Sequence, residues 1–162
     1  MTTRLLFVCL GNICRSPSAE NIMQHLLQAR ELTSSISCDS AGTSSYHIGS
    51  PPDRRMAQAA QLQGITLKGQ ARQLEAVDLA SFDWILAMDD ANYRDILRLD
   101  PQGHYQHKVR KICDFCRQHP DTEVPDPYYG GEAGFRYVID LLMDACEGFL
   151  EFLLQESAPR GL

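Results

Sequence analysis

LLFVCLGNICRSP, residues 5–17, is the stretch of this chain that decides the fold. Its apolar beginning, residues 5–8, has the length and the side-chain branching of a buried strand. Pro17 suits the first turn of a helix with Ser16 as its cap, and the apolar residues that follow recur at helical spacing. The stretch therefore predicts a strand, a loop and a helix in that order.

The loop between this strand and this helix is predicted to bind an anion. Unpaired backbone N–H groups and the positive end of the helix dipole point into it. This field and the charge of Arg15 favour a thiolate at Cys9, and the planar fork of Arg15 can bind two phosphoryl oxygens. Gly11 and Asn12 tolerate the positive φ of a curled loop, and Ser16 can donate a hydrogen bond to the Cys9 sulfur. The arrangement predicts phosphoryl transfer through a phosphocysteine.

A simpler interpretation of the loop is that Cys9 and Cys14 are small buried residues and that Arg15 is a surface charge. That interpretation accounts for either cysteine alone. It does not account for the complete order of strand, cysteine, arginine, serine, proline and helix, so the catalytic interpretation is favoured.

Length and charge limit the classes of protein that this chain can belong to. Its 162 residues predict a single domain over residues 1–157, with residues 158–162 as a frayed tail. The formal net charge of -6 argues against a nucleic-acid partner, although a local positive pocket remains compatible with it. No apolar run approaches membrane-spanning length and the N-terminus does not resemble a signal peptide, so we expect a cytoplasmic protein with no membrane partner.

Six cysteines are present, and their spacing is unlike a secreted disulfide framework. Cys113 and Cys116 form an isolated C-x-x-C with His104, His107 and His119 nearby in the sequence. A zinc site is an alternative here, but the spacing matches no established zinc pattern. Two incidental cysteines at a strand end is the favoured interpretation.

Strand and helix patterns alternate along the remaining chain. The patterns predict strands at residues 4–8, 36–40, 82–87 and 108–113. They predict helices at residues 17–30, 53–63 and 134–156, and a short helix that is capped by Asp89 or Asp90 and ends near residue 97. Such repetition predicts an α/β fold with a parallel sheet that helices cover on both faces. Ligands bind such sheets beyond the carboxyl ends of the strands, where the Cys9 loop lies.

A general acid is predicted at Asp126, in the sequence PDPYYGG of residues 125–131. Two prolines stiffen the backbone around this carboxyl group, and the tyrosines that follow can stack on an aromatic ring. A carboxyl group near a bound phosphate suits proton transfer to a leaving group. The alternative is a turn aspartate before a helix. Asp114 and Asp121 are weaker candidates because no aromatic residues accompany them in this way.

Together these two motifs resemble the low-molecular-weight protein tyrosine phosphatases. Further stretches carry the same resemblance, which covers almost the whole chain: Asp39-Ser40-Ala41-Gly42-Thr43, Tyr46-His47-Ile48-Gly49, Ala71-Arg72-Gln73 and Met88-Asp89. The resemblance implies a three-layer fold with a four-stranded parallel sheet, a phosphate-binding loop after the first strand, and neither metal nor cofactor. By matching positions Cys9 would be the nucleophile, Arg15 would bind the phosphoryl group, and Asp126 would be the acid and then the base.

The resemblance also implies a substrate site and a redox pair. Asn12, Ser16 and Ser40 would hold the loop in shape, and Cys14 would trap an oxidised Cys9 as a disulfide. The implied substrates are a phosphotyrosine protein or an aryl phosphate, with inorganic phosphate as an inhibiting product and the monomer as the expected state. The implied substrate-binding residues are Leu10, Gly11, Asn12, Ile13, Cys14, Ser16, Tyr46, Tyr128 and Tyr129.

One departure and two rival functions accompany this resemblance. Some family members carry a loop-supporting histidine before the Ala-Arg-Gln stretch, where this chain has Gly69 and Gln70, so Asn12 must be held differently. Thioredoxin-coupled arsenate reductases have a similar fold, but they need further cysteines where this chain has Ala87-Met88-Asp89-Asp90. A non-catalytic oxyanion-binding module would have no use for the cysteine.

Overall fold

Four parallel strands form the centre of the fold. The structure is a computed structural model that describes residues 2–128 and 130–157, so Tyr129 and the predicted tail at residues 158–162 lie outside the described residues. The strands run in the order β2-β1-β3-β4 and every adjacent pair is parallel, which confirms the predicted sheet. Their bounds are β1 (Thr3–Cys9), β2 (Ile36–Gly42), β3 (Trp84–Ala87) and β4 (Val109–Lys111).

Helices follow the strands as the alternating pattern predicts. Their bounds are α1 (Arg15–Ala29), α2 (Arg54–Gln61), α3 (Ala76–Ser81), α4 (Asp90–Arg98) and α5 (Glu132–Ser157). The sequence analysis did not predict α3, whose six residues start at a capping box of Glu75 and Asp78. Asp89 caps α4 by accepting the backbone N–H of Asn92 at 2.7 Å. Within the described residues, no helix is both long enough and apolar enough to cross a membrane.

Strand β1 is buried on both faces, because its side chains alternate between two apolar clusters. Leu5 and Phe7 pack into the cluster that includes residues of α1, α2 and α5. Leu6 and Val8 pack into the cluster on the other face, which includes residues of α3 and α4. All four side chains are fully buried. The result is the predicted three-layer architecture, with β1 at its centre.

Two local predictions were wrong. Helix α1 begins at Arg15 rather than at Pro17, and Cys14 instead of Ser16 occupies the cap position, without a side-chain cap hydrogen bond. The Ser16 hydroxyl contacts Cys9 and Asn12 instead. Strand β4 ends at Lys111, and a 3-10 helix, Ile112–Phe115, follows it, so Cys113 lies in a helical turn and not at a strand end.

The strand order places one edge of the sheet in position to bind a ligand. The chain passes from β1 outward to β2 and then crosses back over β1 to β3. The crevice between the carboxyl ends of β1 and β3 is therefore the topological switch point, where ligands of open α/β sheets bind. The loop after β1 and the residues after β3 meet there.

Candidate active site

Cys9 ends strand β1 and lies at the base of the loop that follows. It is only 2% exposed. Its Sγ lies 3.0 Å from Ser16 Oγ and accepts a hydrogen bond of 3.3 Å from the backbone N–H of Asn12. Donors of this kind stabilise a thiolate and make sulfur a better leaving group.

Asn12 holds the loop in its curled form. Its φ of 57° lies in the left-handed region that asparagine tolerates. Its Nδ2 donates to Ser16 Oγ at 2.8 Å and to Ser40 Oγ at 3.0 Å, and its Oδ1 accepts the backbone N–H of Arg72 at 2.9 Å. The three residues predicted to support the loop therefore lie together. The backbone of Arg72 supplies a support that does not depend on the missing histidine.

Glu20 and Arg72, to which the sequence analysis assigned no role, support the hydrogen bonds around Asn12 through further contacts. The Ser40 hydroxyl donates to Glu20 Oε1 at 2.5 Å. Burial raises the pKa of the Glu20 carboxyl group, and the hydrogen bond from Ser40 opposes this shift. The Arg72 guanidinium pairs with Asp39 at 3.0 Å and with Asp78 at 3.1 Å. Arg72 lies in a stretch that carried the resemblance without a stated role, whereas Glu20 had no such signal.

Arg15 is a buried cation whose direction is fixed by two partners. It is 3% exposed, and its Nη1 donates to Asp89 Oδ2 at 2.6 Å and to the carbonyl of Val124 at 3.1 Å. Burial alone lowers the pKa of this guanidinium, but nearby negative groups, Cys9 first among them, outweigh burial and raise it above its ordinary value. Arg15 therefore stays charged beside the Cys9 sulfur. The sequence analysis assigned no role to Asp89 here.

Asp126 lies beside Arg15. Its Oδ2 is 3.6 Å from Arg15 Nη2, its side chain is 43% exposed, and its Oδ1 accepts the backbone N–H of Tyr128 at 3.1 Å. The weaker acid candidates are elsewhere: Asp121 accepts a hydrogen bond from the Tyr137 hydroxyl at 2.6 Å, and Asp114 lies near Arg110 at 3.8 Å. Of the three carboxylates, Asp126 alone lines the cavity described next.

A cavity of about 440 Å³ opens above the loop. Asn12 and Ser16, which were predicted to bind substrate, lie behind its wall, and Tyr129 is outside the described residues. Ser44 and His47 also belong to the wall; His47 lies in a stretch that carried the resemblance without a stated role, whereas Ser44 had no such signal. Tyr46 is 86% exposed, so it stands at the mouth. The lining consists of Cys9, Leu10, Gly11, Ile13, Cys14, Arg15, Ser44, Tyr46, His47, Asp126 and Tyr128.

Cys14 lines the same cavity and is 4% exposed. Burial, and then the charges of Asp53 and Cys9, raise the pKa of the Cys14 thiol to about 12. Cys14 is therefore a protonated thiol at neutral pH. All six cysteines lie in the described part of the chain, and none forms a disulfide.

The zinc alternative for Cys113 and Cys116 finds no support in the placement of neighbouring side chains. Among residues 2–128 and 130–157, no group of three or more histidines, cysteines or acidic residues is arranged to hold a metal ion. His119, the closest histidine in sequence, is instead paired with Asp144 through a contact of 2.8 Å from Nδ1 to Oδ2.

The sheet order and the cysteine–arginine loop at its carboxyl edge define a class of α/β protein whose ligand site lies between the carboxyl ends of β1 and β3. The family model of the low molecular weight phosphotyrosine protein phosphatases matches residues 4–158. The chain belongs to this family, which confirms the resemblance and the predicted enzyme class.

Relatives and solved structures agree with this assignment. A Synechocystis relative, whose name also places it among the low molecular weight protein-tyrosine-phosphatases, is 58% identical over 153 residues, which are 94% of this chain and 98% of the relative. The human low molecular weight phosphotyrosine protein phosphatase is 39% identical, over 93% of this chain and 95% of its own length. A protein tyrosine phosphatase structure from Entamoeba histolytica has a TM-score of 0.93 at 46% identity, over 97% of this chain and 100% of that chain.

Proposed function

We propose that this chain hydrolyses phosphotyrosine and small aryl phosphates through a phosphocysteine intermediate. The observation that carries the proposal is that Cys9, Arg15 and Asp126 line one cavity. A sulfur nucleophile, a charged fork for phosphoryl oxygens and a carboxyl group for proton transfer are the three groups that this chemistry needs.

The first step transfers the phosphoryl group to sulfur. The phosphate dianion binds the loop amides and the Arg15 guanidinium, which stabilise the charge on its equatorial oxygens. The Cys9 thiolate attacks phosphorus in line with the ester oxygen, so that an S–P bond forms and the P–O bond to the aryl group breaks. Asp126 gives its proton to the departing oxygen, and the phenol leaves.

The second step regenerates the enzyme. Asp126, now a carboxylate, takes a proton from water, and the water oxygen attacks phosphorus as the S–P bond breaks. The Cys9 thiolate leaves, stabilised by the Ser16 hydroxyl at 3.0 Å and the Asn12 amide at 3.3 Å. Inorganic phosphate is released from the site at which the substrate binds, so we expect it to inhibit competitively.

The mouth of the cavity supports a preference for aromatic esters. The nucleophile is 2% exposed, so the phosphate must reach it on a slender extension of the substrate. Tyr46, His47 and Tyr128 line the mouth, and the rings of His47 and Tyr128 have centroids 6.1 Å apart. Such rings favour a flat aryl group by stacking. We propose the same stacking role for Tyr129, which was predicted to bind substrate.

The cysteine pair in the loop supports reversible inhibition by oxidation. Peroxide oxidises the Cys9 thiolate to a sulfenic acid, and the Cys14 thiol then attacks that sulfur, so that a disulfide forms and water leaves. A small thiol reduces the disulfide and restores activity. Cys14→Ser should therefore convert reversible inactivation by peroxide into irreversible inactivation, whereas Cys38→Ser should leave it reversible.

Hydrolysis of p-nitrophenyl phosphate near mildly acidic pH, with chelator and thiol present, tests the proposed function. The wild type and Cys38→Ser should turn over, and Cys9→Ser should not. Tight phosphate binding by a wild type without turnover would overturn the proposal.

We further propose that the protein is a metal-independent, cytoplasmic monomer with one domain over residues 1–157. Activity in the presence of chelator tests the metal independence.

A further inference from the structure

Cys113 and Cys116 lie at the two ends of one tight turn of the backbone. The 3-10 helix Ile112–Phe115 contains the first cysteine, and the second follows it directly. The backbone N–H of Cys116 donates to the carbonyl of Cys113 at 3.2 Å. A turn closed between residues three apart keeps its Cα atoms within about 7 Å, close to the range that a disulfide spans.

Packing holds this turn in place. The Phe115 ring has centroid distances of 4.8 Å to Phe149 and 5.0 Å to Phe152, both on α5. A Cβ on Gly148 would stand 1.8 Å from the Phe115 carbonyl oxygen, so the turn lies directly on the backbone of α5. The turn is therefore fixed against α5 by contacts of its backbone and of the Phe115 ring.

The two thiols lie close to each other and to a buried carboxylate. Each thiol influences the pKa of the other, and Asp144 also raises the pKa of Cys116. Asp144 is 8% exposed and accepts the backbone N–H groups of residues 117, 118 and 119 at 3.1, 3.0 and 2.9 Å. Cys113 is 6% exposed, whereas Cys116 is half-buried. Cys116 is thus the sulfur that an external reagent reaches first.

We propose that Cys113 and Cys116 form a reversible disulfide by exchange with a small-molecule disulfide, as a second redox pair separate from the loop of Cys9. The Cys116 thiolate attacks one sulfur of the oxidant, a mixed disulfide forms and the first small thiolate leaves. The Cys113 thiolate then attacks the Cys116 sulfur and releases the second. Two electrons pass from the protein dithiol to the oxidant, and the two protein protons end on the two small thiols.

The surroundings of Cys116 set the rate of this exchange. Burial and Asp144 raise the pKa of the Cys116 thiol to about 11. Because the thiolate is the attacking species, the exchange is slow at neutral pH. Its rate should rise about tenfold for each unit by which the pH is raised, as long as the pH stays below the pKa of Cys116.

Tryptic cleavage reads each pair in its own peptide. Residues 112–117 follow Lys111 and end at Arg117, and they contain Cys113 and Cys116 alone; residues 5–15 contain Cys9 and Cys14 alone. The whole protein is incubated with oxidised glutathione at pH 7 and pH 8, quenched in acid, alkylated in denaturant and digested. We expect peptide 112–117 to lose two hydrogen atoms, to do so about tenfold faster at pH 8, and to regain them with a small thiol.

Single variants test the order of attack. Cys113→Ser should accumulate one glutathione on Cys116, and Cys116→Ser should leave Cys113 unmodified, while Cys38→Ser should behave like the wild type. The proposal is overturned if wild-type peptide 112–117 is recovered with two alkylated thiols, or if it retains glutathione instead of closing. Mass is the readout, so the result does not depend on whether the enzyme turns over.

Discussion

The guanidinium of Arg15 donates a hydrogen bond of 2.6 Å to the carboxylate of Asp89, although 74 residues separate the two in the sequence. Arg15 begins the helix after β1, and Asp89 lies two residues beyond the end of β3. These strands are neighbours at the switch point of the sheet. The strand order therefore fixes the direction of the Arg15 guanidinium, which we propose as the phosphate-binding fork.

Asp89→Asn should lower kcat/KM about tenfold, because the fork keeps a hydrogen-bond acceptor but loses the charge that aligns it. The competitive inhibition constant of phosphate should rise by a similar factor. Asp90→Asn is the matched control, since Asp90 is an exposed residue paired with Lys111 at 2.8 Å. Steady-state kinetics of both variants provide the measurement, and an equal loss in both would contradict the assigned role of Asp89.

Asp126→Asn should slow the hydrolysis of phenyl phosphate roughly 100-fold or more, because a poor leaving group needs the proton. The loss should be much smaller for p-nitrophenyl phosphate, whose phenolate leaves without help. Asp121→Asn serves as control, since that carboxylate is held by the Tyr137 hydroxyl outside the cavity. Rates across a series of substituted phenyl phosphates decide the matter, and a loss independent of the leaving group would refute general-acid catalysis by Asp126.

Asn12→Ala should cost about 2–3 kcal/mol of stability, through lost hydrogen bonds and because alanine tolerates a positive φ less well than asparagine does. Asn12→Gly loses the same side chain without the conformational penalty, so it should be the more stable variant by about 1 kcal/mol. Both should bind phosphate more weakly, because Nδ2 and Oδ1 of Asn12 hold the loop. Urea unfolding and phosphate titration measure the two effects. Equal stability of the two variants would be inconsistent with strain at this position.

Asp144→Asn should reduce the acid sensitivity of folding. Burial by itself raises the pKa of Asp144, but hydrogen bonds from His119 and from three backbone amides outweigh burial and lower it from 3.8 to about 2. A depressed pKa stabilises the fold above pH 4, and this contribution is lost as the pH falls through 2. Between pH 4 and pH 2 the wild type should therefore lose about 2 kcal/mol more of its unfolding free energy than the variant.

Urea unfolding at both pH values measures this difference. Asp140→Asn, one turn earlier on the same helix, is the control, because Asp140 accepts one long hydrogen bond, of 3.5 Å from Gln63, within the described part of the chain. It should follow the wild-type pH dependence. The interpretation fails if Asp144→Asn does the same.

Gly148→Ala should destabilise the protein by about 1–3 kcal/mol or more, because the new Cβ would collide with the Phe115 carbonyl and push the 3-10 turn away from α5. Gly134→Ala, in the same helix, is the matched control. Its nearest neighbour would be Pro127 Cβ at 3.9 Å, an ordinary contact, so a small gain from helix propensity is expected. Thermal unfolding compares them, and similar midpoints would count against the close approach.

Short-range patterns predicted much of the fold. The apolar run before Cys9 has the length and branching of a buried strand, the pattern of residues 134–156 predicted a helix, and both elements form as predicted. Helix α3 escaped prediction because six residues are too few for a periodic signal. Ser16 was wrongly assigned as a cap, because its hydroxyl instead contacts Cys9 Sγ and accepts a hydrogen bond from Asn12 Nδ2.

Long-range pairing sets the limit of sequence-based prediction of the site. The loop residues that line the cavity lie within a few positions of Cys9, where local rules apply. Glu20, Arg72 and Asp89 contribute through partners that only the sheet topology brings near. A charged side chain in a sequence does not reveal which distant group it will meet.

The position of Cys9, as the last residue of a strand buried on both faces, ties the proposed catalysis to the integrity of the whole core. The protein cannot unfold in part and still keep Cys9 aligned, since β1 contributes side chains to both apolar clusters. Turnover in rising urea should therefore disappear together with the fluorescence signal of Trp84, a partly buried residue packed against the core, so that the assay itself becomes a gauge of global folding.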